Sequence, residues 1–405
     1  MNLSPFYNPG PDDIKQAQPE RCGVLMGKIV SKYPVKSPLV IIAVSKQITN
    51  KKVADYNILP EPGPYMLYVP EGRYNILAFA DFNKNLICEQ NEFVGQHENP
   101  GIVSIAGGQV IGELDFVISN TGKKLFDFPI DLKMPLHKHK KLNSLEDGEI
   151  VSLDDDMFSR KYGSVGLWTP SRFIEAVDVN IYALEKFDKA KIPVLFVHGS
   201  GGTPKDWEFI ASNIDRTLYQ PWFFYYPSGL HLKTVSDLLY EKLNAVYNKY
   251  KFKKLYITAH SMGGLIVRSF INENNFNKDS YCLKLFVSIS TPWGGVDRAK
   301  LAPTNGFFKS PLSWKDLSPG SKFIESLFQK KLPPQVKFCL LFGYKGDKLI
   351  LKGADDGTVA LKSQLDPRAQ SEAARCFGFN ENHVSMLFSK EVLGQFREML
   401  ATIGG

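Results

Sequence analysis

Ser261 stands in "TAHSMGG" (Thr258–Gly264), between the β-rich "FKKLYI" and "LIVRSFI", which reads as a helix. A chain that turns sharply from strand into helix pushes the residue at its apex into solvent. The positions two before and two after then close on each other, so small residues are required there. Ala259 and Gly263 meet that need, giving an A-x-S-x-G variant of the G-x-S-x-G pattern. The alternative is a serine N-cap at an ordinary strand–helix junction. A serine hydroxyl attacks a carbonyl only when a base removes its proton, and the base needs an acid to orient it. Of the seven histidines only His383, in "NENHVSML", follows Ser261, and it sits in a loop before the last helical stretch. For the acid, "GADDGTVA" follows the apolar strand "VKFCLLFGY" and offers Asp356 beside Gly357, with Asp355 second and Asp347 third. An Asx-turn without chemistry is the plain alternative there. An oxyanion would need two backbone N–H groups. Met262, directly after the serine, supplies one, and Ser200 in the glycine-rich "HGSGGTPKDW" the other. That loop lacks a P-loop lysine and the chain lacks a dinucleotide fingerprint, which removes nucleotide chemistry.

Alternating strands and helices must hold these residues. From about residue 166, "IPVLFV", "PWFFYY", "KLYITA", "LKLFVSIS" and "VKFCLLFGY" alternate with helical stretches. One of these, "LKTVSDLLYEKLNAVYNKY", carries Val235, Leu238, Leu239, Leu243 and Val246 along a stripe. This grammar predicts an α/β domain with a mostly parallel sheet covered on both faces, whose ligands bind at the carboxyl ends of the strands. A closing helix is expected from about Val384 to Leu400. Residues 21–119 read differently, as short strands ("GVLMGKIV", "SPLVIIAV", "YMLYV", "RYNILAFA", "GIVSIA", "VIGELDFVI") separated by turns, hence a small all-β sandwich. An N-terminal tail (1–20) precedes it and a polar linker (120–165) follows.

Residues 166–405 resemble an α/β-hydrolase of the lipase-like esterase kind, through "HGSGG", "AHSMGG", "ISTPWGG", "DDGTV" and "NHVSML" in that order. The resemblance implies an acyl-enzyme serine hydrolase of carboxylic, lipid-like acyl esters. It places the nucleophile at Ser261, the acid at Asp356, the base at His383, and the oxyanion donors at Ser200 and Met262. "STPWGG" resembles the turn that ends a lipase strand beside the acyl pocket, which puts Trp293 there. An acyltransferase or amidase would use the same residues, and a binding or adhesion protein with an inert hydrolase domain is the alternative from another class. The first domain resembles, less specifically, transthyretin-like or carboxypeptidase-regulatory-like sandwiches through "PEGRYNILAFADFN".

The irregular stretch 297–335 holds Phe307, Phe308, Leu312, Trp314, Phe323 and Leu327 among prolines and glycines. It predicts either a lid over the acyl pocket, with Trp314 in the pocket, or an ordinary excursion packed on the sheet. In "DFNKNLICEQNE", Asp81, Asn83, Asn85, Glu89 and Glu92 fall at positions 1, 3, 5, 9 and 12 of a loop, a calcium-like spacing. Leu86 occupies the glycine place and the flanks are strands, so a plain polar loop is preferred. No cofactor is expected otherwise.

The 405 residues carry a formal net charge of +7 and five cysteines without pairwise or metal-ligand spacing. The charge is spread along the chain, which argues against a nucleic-acid partner. "LHKHKK" (Leu136–Lys141) is the one dense basic cluster. It reads as solvated linker, with peripheral contact to an anionic membrane as the alternative. The first residues have neither the basic start nor the apolar core of a signal peptide. A cytoplasmic protein is therefore expected, or an envelope or secreted one if a leader was removed.

Overall fold

The computed structural model describes residues 22–119 apart from 32–33, 36, 46–52, 60, 84, 90–91, 93, 98–100 and 107–108; Leu132; and residues 150–402 apart from 275–281, 298–310 and 347–353. The tail 1–20, "LHKHKK", Phe307, Phe308 and Asp347 lie outside the described residues.

The first part is built from strands alone: β1 (Cys22–Ser31), β2 (Leu39–Ser45), β3 (Val53–Leu59), β4 (Pro64–Pro70), β5 (Gly72–Ala80), β6 (Val94–Gln96), β7 (Ile102–Ile105), β8 (Val110–Ile111) and β9 (Phe116–Ile118). One sheet runs β3-β2-β5-β6 with β7 also on β5, all antiparallel. The other runs β4-β1-β8 with β9 also on β1. A strand's side chains alternate between faces, and β2 makes both faces visible. Leu39, Ile41 and Ala43 meet Leu25, Ile29, Leu67 and Ile76 between the sheets. Val40, Ile42 and Val44 pack on the outer side with Tyr56, Ile58, Leu77 and Phe79. A sheet buried on both faces must be covered from outside. Leu132 and Trp168 do that.

The second part contains α1 (Arg160–Trp168), α2 (Pro170–Ala176), β10 (Asn180–Ala183), β11 (Ile192–Val197), α3 (Glu208–Asn213), β12 (Tyr219–Tyr225), α4 (Leu232–Tyr250) and β13 (Lys254–His260). It continues with α5 (Met262–Glu273), β14 (Cys282–Ile289), α6 (Leu312–Asp316), α7 (Lys322–Leu327), β15 (Lys337–Gly343), α8 (Leu361–Gln364), α9 (Pro367–Glu372), β16 (Arg375–Phe379) and α10 (Lys390–Thr402). Its seven-stranded sheet has the order β10-β12-β11-β13-β14-β15-β16. All pairs are parallel except β10 with β12. Helices α4 and α5 bury Leu239, Leu243, Leu265 and Phe270 on one face against Leu195, Trp222 and Ile257. On the other face α10 brings Val392, Phe396 and Met399 against Phe196, Phe223 and Val287. This is the α/β-hydrolase fold, and it puts a mostly parallel sheet after a mostly antiparallel β-region.

Three features depart from the sequence reading. Residues 150–165, read as the end of a linker, bury Val151, Leu153, Met157, Phe158 and Tyr162 in the α/β core. Strands β3, β6, β10 and β16 were not expected. The final helix begins at Lys390, after a short 3-10 turn over Ser385–Leu387. Among the described residues no helix is long and apolar enough to cross a membrane.

Candidate active site

Ser261 occupies the turn between β13 and α5 with φ 54° and ψ −130°. Positive φ in a residue with a Cβ is uncommon and costs about 1–3 kcal/mol, so the surroundings must impose it. They do so by crowding. A Cβ on Gly263 would lie 2.5 Å from the His198 carbonyl oxygen and 2.7 Å from that of Val197. Ala259 is fully buried beside them. The Ser261 N–H donates to the Ile289 carbonyl at 2.8 Å, tying the apex to β14. Its side chain remains half-buried at a cavity.

His383 follows β16 and Asp356 follows β15, both at strand carboxyl ends. An ionised carboxylate only accepts, so the His383 Nδ1–H donates to Asp356 Oδ2, at 2.7 Å. The other carboxylate oxygen, Oδ1, takes the N–H groups of Thr358 at 3.0 Å and Val359 at 2.7 Å. The His383 N–H reaches back to the Asp356 carbonyl at 2.7 Å. Asp356 is fully buried, and its turn is braced by Gln364. That side chain donates to the carbonyls of Gly343 and Val359 and accepts from the Gly343 N–H. Asp355 is turned to the Gly357 N–H instead, at 2.6 Å. Fixing Nδ1 as the donor leaves Nε2 of His383 as the basic nitrogen.

The glycine-rich loop approaches so closely that a Cβ on Gly199 would lie 2.9 Å from the Ser261 Cβ. Ser200 and Met262 both line the cavity. Among the described residues no hydrogen bond engages the backbone N–H of either one. His198 holds the loop's start. Its ring stacks on Tyr226 at 4.1 Å, its Nδ1–H donates to the Gly199 carbonyl at 2.8 Å, and the Tyr226 hydroxyl donates to its carbonyl at 2.5 Å. Burial pushes its pKa down to about 3 and keeps it neutral.

Two further side chains escaped the sequence reading. His260 is buried and donates from Nε2 to the His383 carbonyl at 2.9 Å, with the two rings 4.7 Å apart. Burial and the neighbouring His383 hold its pKa well below the usual histidine value. Gln364 is the other. His260 adjoins the serine in "AHSMGG", whereas nothing in "LKSQLDPR" marks Gln364.

The cavity measures about 370 Å³ and is lined by Ser261, Met262, Ser200 and His383 together with Trp314 and Leu317. Trp314 is among the residues that line this cavity. Trp293 is not, and the expectation that placed it beside the acyl pocket is corrected. Its ring is packed between Phe286, Phe338 and Phe328 in the core, and its neighbour Pro292 lines the cavity. Of the candidate lid, Trp314 and Leu317 face the cavity, whereas Ile324 and Leu327 sit in the core.

The calcium-like loop closes on itself. Both Asp81 oxygens accept N–H groups, from Asn85 and Leu86, and both Glu92 oxygens accept them from Phe82 and Glu89. Asn83 and Asn85 donate to Glu89. Leu86 itself takes φ 58° where glycine was missing. Among the described residues no group of three or more His, Cys, Asp or Glu side chains could hold a metal ion.

A family model described as "Putative serine esterase (DUF676)" matches residues 188–318. No curated protein matches the chain. Among solved structures, the mature lipase BlEst2 of Bacillus licheniformis is 20% identical with a TM-score of 0.44, covering 56% of this chain and 98% of its own. The product of the gene lin2722 from Listeria innocua is 16% identical with a TM-score of 0.40, over 52% of this chain and 94% of that one. Lipase B of Aspergillus fumigatus is 13% identical with a TM-score of 0.40, over 55% and 56% respectively.

Proposed function

We propose that the chain hydrolyses carboxylic esters of acyl chains through an acyl-enzyme on Ser261. The observation that carries this reading is the serine at a positive-φ elbow, sharing one cavity with a histidine whose far nitrogen is held by a buried aspartate. His383 Nε2 takes the Ser261 proton as Oγ bonds to the ester carbonyl carbon. The electron pair of the C=O moves onto oxygen, and the N–H groups of Ser200 and Met262 receive that oxyanion. As the carbonyl re-forms, the C–O bond to the alcohol breaks and His383 gives the proton to the departing oxygen. Water then repeats the sequence, losing a proton to His383 and releasing the acid and free Ser261. Asp356 keeps the ring in its Nδ1–H tautomer and offsets the charge of the imidazolium.

Treating the chain with a fluorophosphonate and mapping the adduct tests this. One equivalent on Ser261, lost in Ser261→Ala together with p-nitrophenyl ester hydrolysis, is the expected result. Hydrolysis that survives in Ser261→Ala would refute the reading.

A further inference from the structure

Strand β3 is an edge strand of the first part, yet Asp55, Asn57 and Leu59 line the same cavity as Ser261. The turn to β4 adds Glu61, Pro62 and Gly63. Alternation makes the pair Asp55 and Asn57 unusual. They share a face with Leu59, which belongs to the apolar layer between the two sheets, while Tyr56 and Ile58 point to the outer side. Both polar side chains are buried, at 4% and 8% exposure. A strand meant only to fill a sandwich would place apolar residues there.

The strand is also anchored. The Ser164 hydroxyl of α1 donates to the Asp55 carboxylate, and Tyr56 bonds Thr169 at the start of α2. Trp168 packs on the outer sheet face and meets Trp314 edge-on, with ring centroids 5.4 Å apart. Apolar side chains of both parts, Leu317, Trp314, Trp168, Leu59 and Pro62, therefore line one cavity. The wall is fixed, and beside these apolar groups it carries Asp55, Asn57 and Glu61.

We propose that β3 and the turn that leads from it to β4 in the other sheet are a size gauge for the ester, the wall against which the acyl chain ends. This rests on the reading of Ser261 as nucleophile and adds to it a role for the N-terminal β-region: specificity toward short- to medium-chain acyl esters.

The test uses the full chain and p-nitrophenyl acetate and octanoate. Asn57→Phe narrows the cavity at β3, and Asn57→Ala widens it. The octanoate-to-acetate ratio of kcat/KM is expected to fall at least about tenfold in the first and to rise at least about threefold in the second, the scale on which a hydrophobic pocket senses its substrate's methylenes. Ratios unchanged in both variants, or losses equal for the two esters, would overturn the proposal and leave β3 and its turn a packing element or a wall for the alcohol side. If Asn57→Phe does not accumulate as folded protein, the Asn57→Ala ratio decides alone. A small methylphosphonate ester separates the two levels of inference. If it labels Ser261 in the wild-type chain while the ratios stay flat, only the gauge fails. If it labels nothing, the nucleophile reading fails and takes the gauge with it.

Discussion

At the residue scale the proposed mechanism makes Ser261, His383 and Asp356 act as a unit, and their losses should not add. Ser261→Ala and His383→Ala are each expected to lower kcat for a p-nitrophenyl ester by at least about three orders of magnitude, and the double variant by little more. Asp356→Asn should cost less but still heavily, because an amide lets His383 flip to the wrong tautomer. Asp355→Asn should be the milder lesion, since that carboxylate faces the Gly357 N–H. A reversed order would move the acid. His198 makes a separate, thermodynamic claim. Its pKa lies near 3 in the folded chain because burial disfavours the cation, against about 6.5 when unfolded. Between those values the unfolded chain binds more protons, so this contribution to stability is full above about pH 6.5 and is lost as pH falls. The loss from this one group is about 2 kcal/mol on going from about pH 7 to pH 5. His198→Phe retains a ring to stack on Tyr226 and cannot titrate. Its urea-derived stability should therefore decline by about 2 kcal/mol less over that interval than that of the wild type. Equal declines would show that His198 titrates freely. These residues were legible for different reasons. Ser261 and His383 stood out by small neighbours and by being the last histidine. His260 and Gln364 did not, because their role is a bond to a carbonyl far along the chain, which no local spacing encodes.

The elements carry the geometry, and their legibility followed their burial. Strands β11 to β15 lie inside the parallel sheet, so their apolar runs stood out, as did the stripe of α4. Strands β10 and β16 close the edges of that sheet; the first has four residues and the second is half-exposed along its length, so neither shows a clear period. Strand β3 was hidden by Asp55 and Asn57, the same residues that suit it to the cavity. Trp293 shows a different limit: adjacency to a motif does not say which way a ring points. The elbow between β13 and α5 offers the test at this scale. Because the obstacles to a Cβ on Gly263 are two carbonyl oxygens of the β11 strand and the residue after it, relief requires moving the backbone. Gly263→Ala should thus cost about 1–3 kcal/mol of stability by overpacking. It should also lower kcat, since the displaced His198 carbonyl begins the loop that carries Ser200. A shifted denaturation midpoint with kcat intact would mean that the elbow and the oxyanion loop are independent.

For the whole molecule, the outer face of the β3-β2-β5-β6 sheet is apolar and finds its cover in α1, a helix of the other part. This coupling was not legible, since Trp168 sits in no motif and its surroundings come from distant parts of the chain: the outer cluster of the β3-β2-β5-β6 sheet before it, Trp314 after it. The indole touches both parts at once. Removing it should weaken each part's hold on the other and open the cavity beside Trp314. A fully buried aromatic truncated to alanine costs about 3–5 kcal/mol; Trp168 is only half-buried, so a loss of about 1–3 kcal/mol is expected for Trp168→Ala. If the parts unfold together because this contact binds them, calorimetry should give one transition for the wild type and two, or one markedly broadened, for the variant. Ester selectivity provides the second readout. With Trp168 gone, the apolar lining of the cavity loses the ring that meets Trp314, and octanoate turnover should fall more than acetate turnover. Two transitions already present in the wild-type chain would mean that the sandwich and the hydrolase fold separately, held together by the covalent chain rather than by α1.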